Sequence, residues 1–202
     1  MKLYYYPGAC SMAVHIVLRE AGYPFDLVKV DLQKKQTERG EDFLKINPKG
    51  YVPAVQLDDG QVLTEDAVIL QYLADHKPDA GLAPKPGTME RYRFLEWLNF
   101  IATEVHKTLG ALFNPKITPE WKENQIALLG RRCDFLVQTL GGKPFLMGDT
   151  FTAADAYLFT ILGWTSLFKI DMSRWPVLRD YMARIAERPA VKAAMKAEGL
   201  IK

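Results

Sequence analysis

Hydrophobic and polar positions follow two different rhythms along the chain. The aromatic run "KLYYY" predicts a short strand. "SMAVHIVLREAG" puts Val14, Val17, Leu18 and Ala21 on one helical face and stops at Gly22. "FDLVKV" alternates as a strand does, and "RGEDFLKINPKG" predicts a short helix broken before Pro48. "VPAVQL" and "QVLT" flank the hairpin turn "DDG", and "EDAVILQYLADH" predicts a second well-formed helix. The order is βαβαββα, and its first unit predicts two parallel strands joined by a crossover helix.

The strand rhythm ends at "KPDAGLAPKPGT", a proline- and glycine-rich linker. Beyond it only helical periods remain. "MERYRFLEWLNFIATEVHKTLGALF" lines up Leu95, Leu98, Ala102, Val105, Leu109 and Leu112. "NQIALLGRRCDFLVQTL" lines up Ile126, Leu129, Cys133, Leu136 and Leu140. "TAADAYLFTILGWTSLF" is apolar nearly all round and predicts a buried helix, whereas "WPVLRDYMARIAERP" is amphipathic. The expected organisation is an α/β domain over residues 1–78, a linker over 79–88 and an all-helical domain over 89–202. Within the helical half, Thr152 and Asp155 have the spacing of a capping box, with Phe151 and Ala156 placed as a hydrophobic staple. Asp155 is therefore read as a fold-setting residue and not as a catalytic acid.

At 202 residues, 49% hydrophobic, the chain is long enough for a packed core. A net charge of +2 and no basic stripe give no support for nucleic-acid binding. No apolar run approaches the roughly 20 residues of a membrane span, and "MKLYYYPGAC" lacks a signal-peptide pattern, so a cytoplasmic protein is expected. Cys10 and Cys133 are not expected to pair in a reducing compartment. His15, His76 and His106 are scattered without metal-ligand spacing, and no metal is expected.

Cys10 falls where the first strand passes into the first helix. Unpaired N–H groups and the helix dipole favour an anion at such a position, which predicts an activated thiolate; the alternative is a small buried hydrophobe. Ala13 stands where a thioredoxin-type dithiol would need its second cysteine, so a dithiol cycle within this motif is excluded. Ser11 is either a helix cap or a hydroxyl donor to a bound sulfur. Cys133, on an apolar helical stripe, reads as core. Val52-Pro53 opens a strand; a cis bond there would leave the Val52 backbone free to pair with an extended peptide. "TED" opens the next helix, whose N–H groups suit a carboxylate, while Glu65 suits an ammonium; ordinary capping is the alternative.

Taken together, these stretches resemble a known family. The N-terminal unit resembles thioredoxin. "NPKGYVPAV", "LTEDAVILQYL" and "TAADAYL" resemble the glutathione transferases over essentially the whole chain, and "YPGACS" with "EVHK" is most similar to the bacterial beta class. The resemblance implies a thioredoxin-like domain followed by a helical bundle, with glutathione as co-substrate and an apolar electrophile between the domains. It implies that Val52, followed by Pro53, pairs with the cysteinyl unit of glutathione. Glu65 and Asp66 would hold its γ-glutamyl end, and Lys35 its glycine carboxylate. Cys10 would face the glutathione sulfur and form a mixed disulfide with it. Asn99, Thr103 and His106 share a helical face that the family sets against the same pocket with Glu104 and Val105, making His106 a donor near the sulfur. Tyr5 invites comparison with the sulfur-activating tyrosines of other classes. Asp66 departs from a common pattern in which serine follows the glutamate.

The activity so implied is conjugation of the glutathione thiolate to electrophiles, a detoxification role, in a homodimer. The alternatives are a glutathione-dependent thiol transferase or peroxidase that uses Cys10 as its redox nucleophile, and a non-catalytic binding protein.

Overall fold

Leu3, Tyr4 and Tyr5 build the central strand of a mixed five-stranded sheet. β1 (Lys2–Tyr5) runs parallel to β2 (Asp26–Asp31), with Tyr4 opposite Val28, and antiparallel to β4 (Ala54–Gln56), with Leu3 opposite Val55. β4 turns through Asp58–Gly60 into β5 (Val62–Thr64), pairing Val55 with Leu63. A two-residue strand, β3 (Gln36–Thr37), returns antiparallel on β2 and completes the order β3-β2-β1-β4-β5. The order along the chain is thus βαββαββα, one strand more than the expected βαβαββα, because two residues are too few for alternation to register. The short α2 (Phe43–Ile46) starts where the Asp42 side chain accepts from Leu44 N at 3.0 Å. Tyr4, Val28, Val30, Phe43, Val52 and Ala54 close a core on this sheet.

The computed structural model describes all of residues 1–202, in two compact units: Met1–Leu82 with Arg188–Lys202, and Ala83–Glu187. The last residues, expected with the helical half, therefore join the first unit. There α9 (Pro189–Ala197) packs on α1 (Ser11–Glu20), as α3 (Asp66–His76) also does. Flanked by two helices as well as the sheet, α1 buries every residue from Ser11 to Leu18, more than the single face its periodicity suggested. A polar network ties α9 down. Arg19 Nε donates to His15 Nε2 at 2.8 Å, so the proton on Nδ1 is donated to Glu198 Oε1, also at 2.8 Å. Gly8 N donates to Glu198 Oε2 at 2.9 Å. The Glu198 carboxylate thereby holds the loop that leads into Cys10. Arg188 pairs with Glu20 at 2.6 and 3.0 Å.

The second unit is helical throughout. Thr88 caps α4 (Met89–Phe100), which continues through a π-helical stretch at Ile101–His106 into α5 (Lys107–Gly110). α6 (Pro119–Leu140) buries Leu129, Cys133, Leu136 and Leu140, as its stripe predicts, and ends at Gly141 in the left-handed conformation (φ 51°). α7 (Ala153–Leu167) is buried along nearly all its length, and α8 (Pro176–Ala186) packs on it. The expected capping box is present. Asp155 Oδ2 accepts from Thr152 N (2.8 Å) and Thr152 Oγ1 (3.0 Å), and Oδ1 from Leu146 N (2.8 Å) and Tyr181 Oη (2.9 Å). One carboxylate thus joins a helix start, a preceding loop and α8. No helix is long and apolar enough to cross a membrane.

Candidate active site

The first unit gathers its predicted site residues at the start of two helices. Cys10 is the residue preceding α1, and its Sγ donates to the Val52 carbonyl at 3.3 Å. The Val52–Pro53 peptide bond is cis. Asp66 opens α3, and its charge bears on the same sulfur. Glu65 adopts φ 73°, a left-handed backbone for a non-glycine residue, of the kind that clusters at functional sites. Its side chain takes an ion pair from Lys49 and a 3.1 Å hydrogen bond from Tyr51 Oη. Lys35, also left-handed at φ 54°, donates from Nζ to the Gly50 carbonyl at 2.6 Å. Residues 49–52 thus meet Lys35 at Gly50, Glu65 through Lys49 and Tyr51, and Cys10 at Val52.

The electrostatics of Cys10 reverse the expectation of an activated sulfur. Burial, followed by the charge and hydrogen bond of Asp66, pushes the thiol well above its ordinary range; the backbone N–H groups of Ser11 and Cys10 pull the other way and are outweighed. The helix terminus acts as predicted, but it competes with desolvation and a neighbouring carboxylate, which only the tertiary structure supplies. Asp66 is itself pushed up to about 7, first by burial and then by Glu65, against the Cys10 hydrogen bond. Its Oδ1 is buried without a hydrogen-bond partner.

Two further residues of this unit are placed differently from expectation. Tyr5 is buried with its ring tilted against His15 at 6.4 Å, and burial raises its phenol, so it packs in the layer between the sheet and α1. Ser11 is buried and exchanges hydrogen bonds with the Tyr6 backbone, accepting from N at 3.3 Å and donating to O at 3.4 Å. It braces the loop before the helix.

In the second unit, His106 Nδ1 lies 2.7 Å from Tyr157 Oη, with its ring edge-on to Trp164 at 5.1 Å. Thr103 donates to the Asn99 carbonyl at 3.0 Å, and both residues are exposed. The π-helical stretch departs from the 3.6-residue period on which the shared face of Asn99, Thr103 and His106 was reckoned. Glu104 forms an ion pair with Arg132 of α6. Val105 is fully buried among core residues of this unit, which corrects its expected place at a binding surface. The stripe Leu98, Val105, Leu109 already pointed to that position. Tyr157, Arg132, Lys49 and Tyr51 were missed as partners; nothing local in their sequence marks them. A cavity of about 620 Å³ lined by Trp97, Phe100, Phe135, Leu146 and Met147 lies within this unit and contains none of the predicted site residues. No group of three or more His, Cys, Asp or Glu residues is placed to hold a metal ion.

A thioredoxin-like unit with one cysteine at the start of its first helix, accompanied by a helical unit, defines a class of thiol-handling proteins. Residues 8–76 match the N-terminal domain of glutathione S-transferase, and residues 119–184 its C-terminal domain. The chain belongs to the glutathione S-transferase family. It is 48% identical to the glutathione S-transferase GstA of Escherichia coli O157:H7, over 99% of this chain and all of that one. It is similar to the bacterial beta class glutathione S-transferase of Sphingomonas chungbukensis (TM-score 0.96, 50% identity, all of both chains). A sphingomonad glutathione S-transferase complexed with glutathione matches with TM-score 0.95 and 48% identity, again over all of both chains.

Proposed function

We propose that this chain binds glutathione at the first unit and conjugates its thiolate to electrophilic apolar compounds, as a cytoplasmic homodimer serving detoxification. The observation that carries this reading is the segment 49–52, which meets Lys35, Cys10 and Glu65 in one unit, with Asp66 next to Glu65 at the opening of α3. Its chemistry suits a short anionic thiol peptide. The N–H groups that open α3 favour a carboxylate, Glu65 and Asp66 favour an ammonium, Lys35 favours a second carboxylate, and the Val52 backbone pairs with extended chain. Donors near the sulfur would favour the glutathione thiolate, each unit of lowering being worth about 1.4 kcal/mol. The test is calorimetric titration with glutathione together with turnover of a generic aryl halide. Saturable uptake with turnover is expected; neither would leave a non-catalytic role.

The Cys10 thiol, held on the carbonyl of Val52 whose backbone would pair with the peptide, favours a second reading, thiol transfer through a mixed disulfide of Cys10 and glutathione. Cys10→Ala separates the two. Conjugation that survives while exchange is lost assigns the sulfur to redox chemistry, and loss of both makes Cys10 part of the conjugating site.

A further inference from the structure

His106 closes the π-helical stretch Ile101–His106, and its ring lies against two residues of α7. Tyr157 Oη lies 2.7 Å from Nδ1, and the Trp164 ring stands edge-on at 5.1 Å. Both partners are buried, Tyr157 to 2% exposure, whereas His106 is half-buried. A separation of 2.7 Å is usual for a hydroxyl donor and short for an N–H donor, whose bonds cluster at about 2.9–3.0 Å. A neutral imidazole also keeps one bare nitrogen as an acceptor, which a phenol O–H can fill. We infer that Tyr157 donates to Nδ1 of His106 and is the positioning residue that fixes its neutral ring as the Nε2–H tautomer, so that His106 offers a hydrogen-bond donor and not a base.

The consequence is chemical. With the proton on Nε2 and the Nδ1 lone pair engaged, the neutral ring has no lone pair left with which to take a proton. It can give one hydrogen bond to a group that carries negative charge or a lone pair, such as a thiolate, a nitro group, a carbonyl or a departing halide. That this acceptor is the glutathione sulfur or the compound it attacks rests on the function proposed above; the place of the proton does not.

The surroundings suit a fixed donor. α7 is pinned at its start by Asp155, two residues before Tyr157, through bonds to Leu146, Thr152 and Tyr181, so the fold holds the phenol in place. Trp164 lies seven residues after Tyr157, on the same face of α7, and one helix therefore sets both contacts to the ring. Phe113 stands edge-on to Trp164 at 5.0 Å, which continues the aromatic surface and keeps the local dielectric low, where a hydrogen bond is stronger. Gly110, one turn beyond His106, puts no side chain on the ring; the nearest atom to a Cβ there would be His106 Cδ2, at 3.9 Å, so a larger residue would crowd the edge that carries Nε2. The π-helical turn that ends at His106 is itself a feature frequent at functional sites.

The test reads the tautomer directly. In the uniformly 15N-labelled chain at pH 8, long-range 1H–15N spectra distinguish a protonated ring nitrogen from a bare one, and His106→Gln assigns the His106 signals among those of His15 and His76. The parent is expected to show Nε2 protonated and Nδ1 bare. In Tyr157→Phe both nitrogens should shift toward the averaged position of two exchanging tautomers. A parent with the proton on Nδ1, or a variant spectrum unchanged from the parent, overturns the proposal. Turnover of glutathione with an aryl halide is the second readout. Tyr157→Phe should lower kcat about fivefold, the worth of one hydrogen bond, with KM for glutathione little changed. Glutamine carries an amide donor in the place of Nε2 and has no tautomer to fix, so in a His106→Gln background Tyr157→Phe should cost less than about 1.5-fold. An equal loss in both backgrounds makes Tyr157 a packing residue and overturns its positioning role. The expected spectra without any turnover by the parent remove the conjugation reading alone.

Discussion

Replacing Asp66 by asparagine should stabilise the chain at alkaline pH and leave it without gain in acid. The Asp66 carboxyl is pushed from 3.8 up to about 7 in the folded chain, mainly by burial. Between those values the folded chain keeps a proton that the unfolded chain has released. The full contribution to stability is therefore present below the unfolded value and is lost as the pH rises to 7. About three units at roughly 1.4 kcal/mol each put the loss near 4 kcal/mol. Asparagine cannot ionise and escapes this loss, although burying its amide takes back part of the gain. Asp66→Asn should be more stable than the parent by about 2–4 kcal/mol at pH 8 and level with it, or slightly weaker, at pH 4. The measurement is urea unfolding followed by far-UV circular dichroism at several pH values. Tryptophan emission is the wrong probe, because Trp97, Trp121, Trp164 and Trp175 all lie in the second unit. A difference between the two proteins that does not change with pH would refute the reasoning, since the ionisation of Asp66 is its only source. The result would also make Asp66 a residue kept at a cost to stability, as functional groups often are.

Asp155→Ala removes four hydrogen bonds and strands the Leu146 N–H and the Tyr181 hydroxyl in the interior; a loss of about 3–5 kcal/mol is expected in urea unfolding followed by tryptophan emission. Glu198→Ala leaves Gly8 N and His15 Nδ1 without their acceptor, and should lower stability by about 2–4 kcal/mol with faster amide exchange in the loop before Cys10. Gly50→Ala forces a side chain into a φ of 71°, with its Cβ 3.1 Å from Leu44, where about 1–2 kcal/mol of backbone strain is expected as a fall in the thermal midpoint.

Much of the site was legible before any coordinates. The position of Cys10 before a helix, the opening of α3 after Glu65 and the strand start at Val52 all follow from local pattern, and these residues do meet. The partners were not legible. Lys49 and Tyr51 reach Glu65 across a loop, Arg132 reaches Glu104 from another helix, and Tyr157 meets His106 across 51 positions. Tyr5 and Val105 look like site residues by family position and prove to be core, because which side of an element faces the interior is settled by what packs there.

The chain's own residues, read in order, determine the alternation of strand and helix in the first half, the helical second half, and the start of α7 at Thr152. Each of these depends on neighbours within a few positions, through periodicity, capping or turn chemistry. Tertiary structure alone decides that residues 188–202 complete the first unit, that α1 is buried on every side, and that Cys10 is held as a thiol. A pKa answers to the whole environment of a group. The carboxylate that governs the Cys10 sulfur lies 56 residues away along the chain, brought to it only by the packing of α3 against α1.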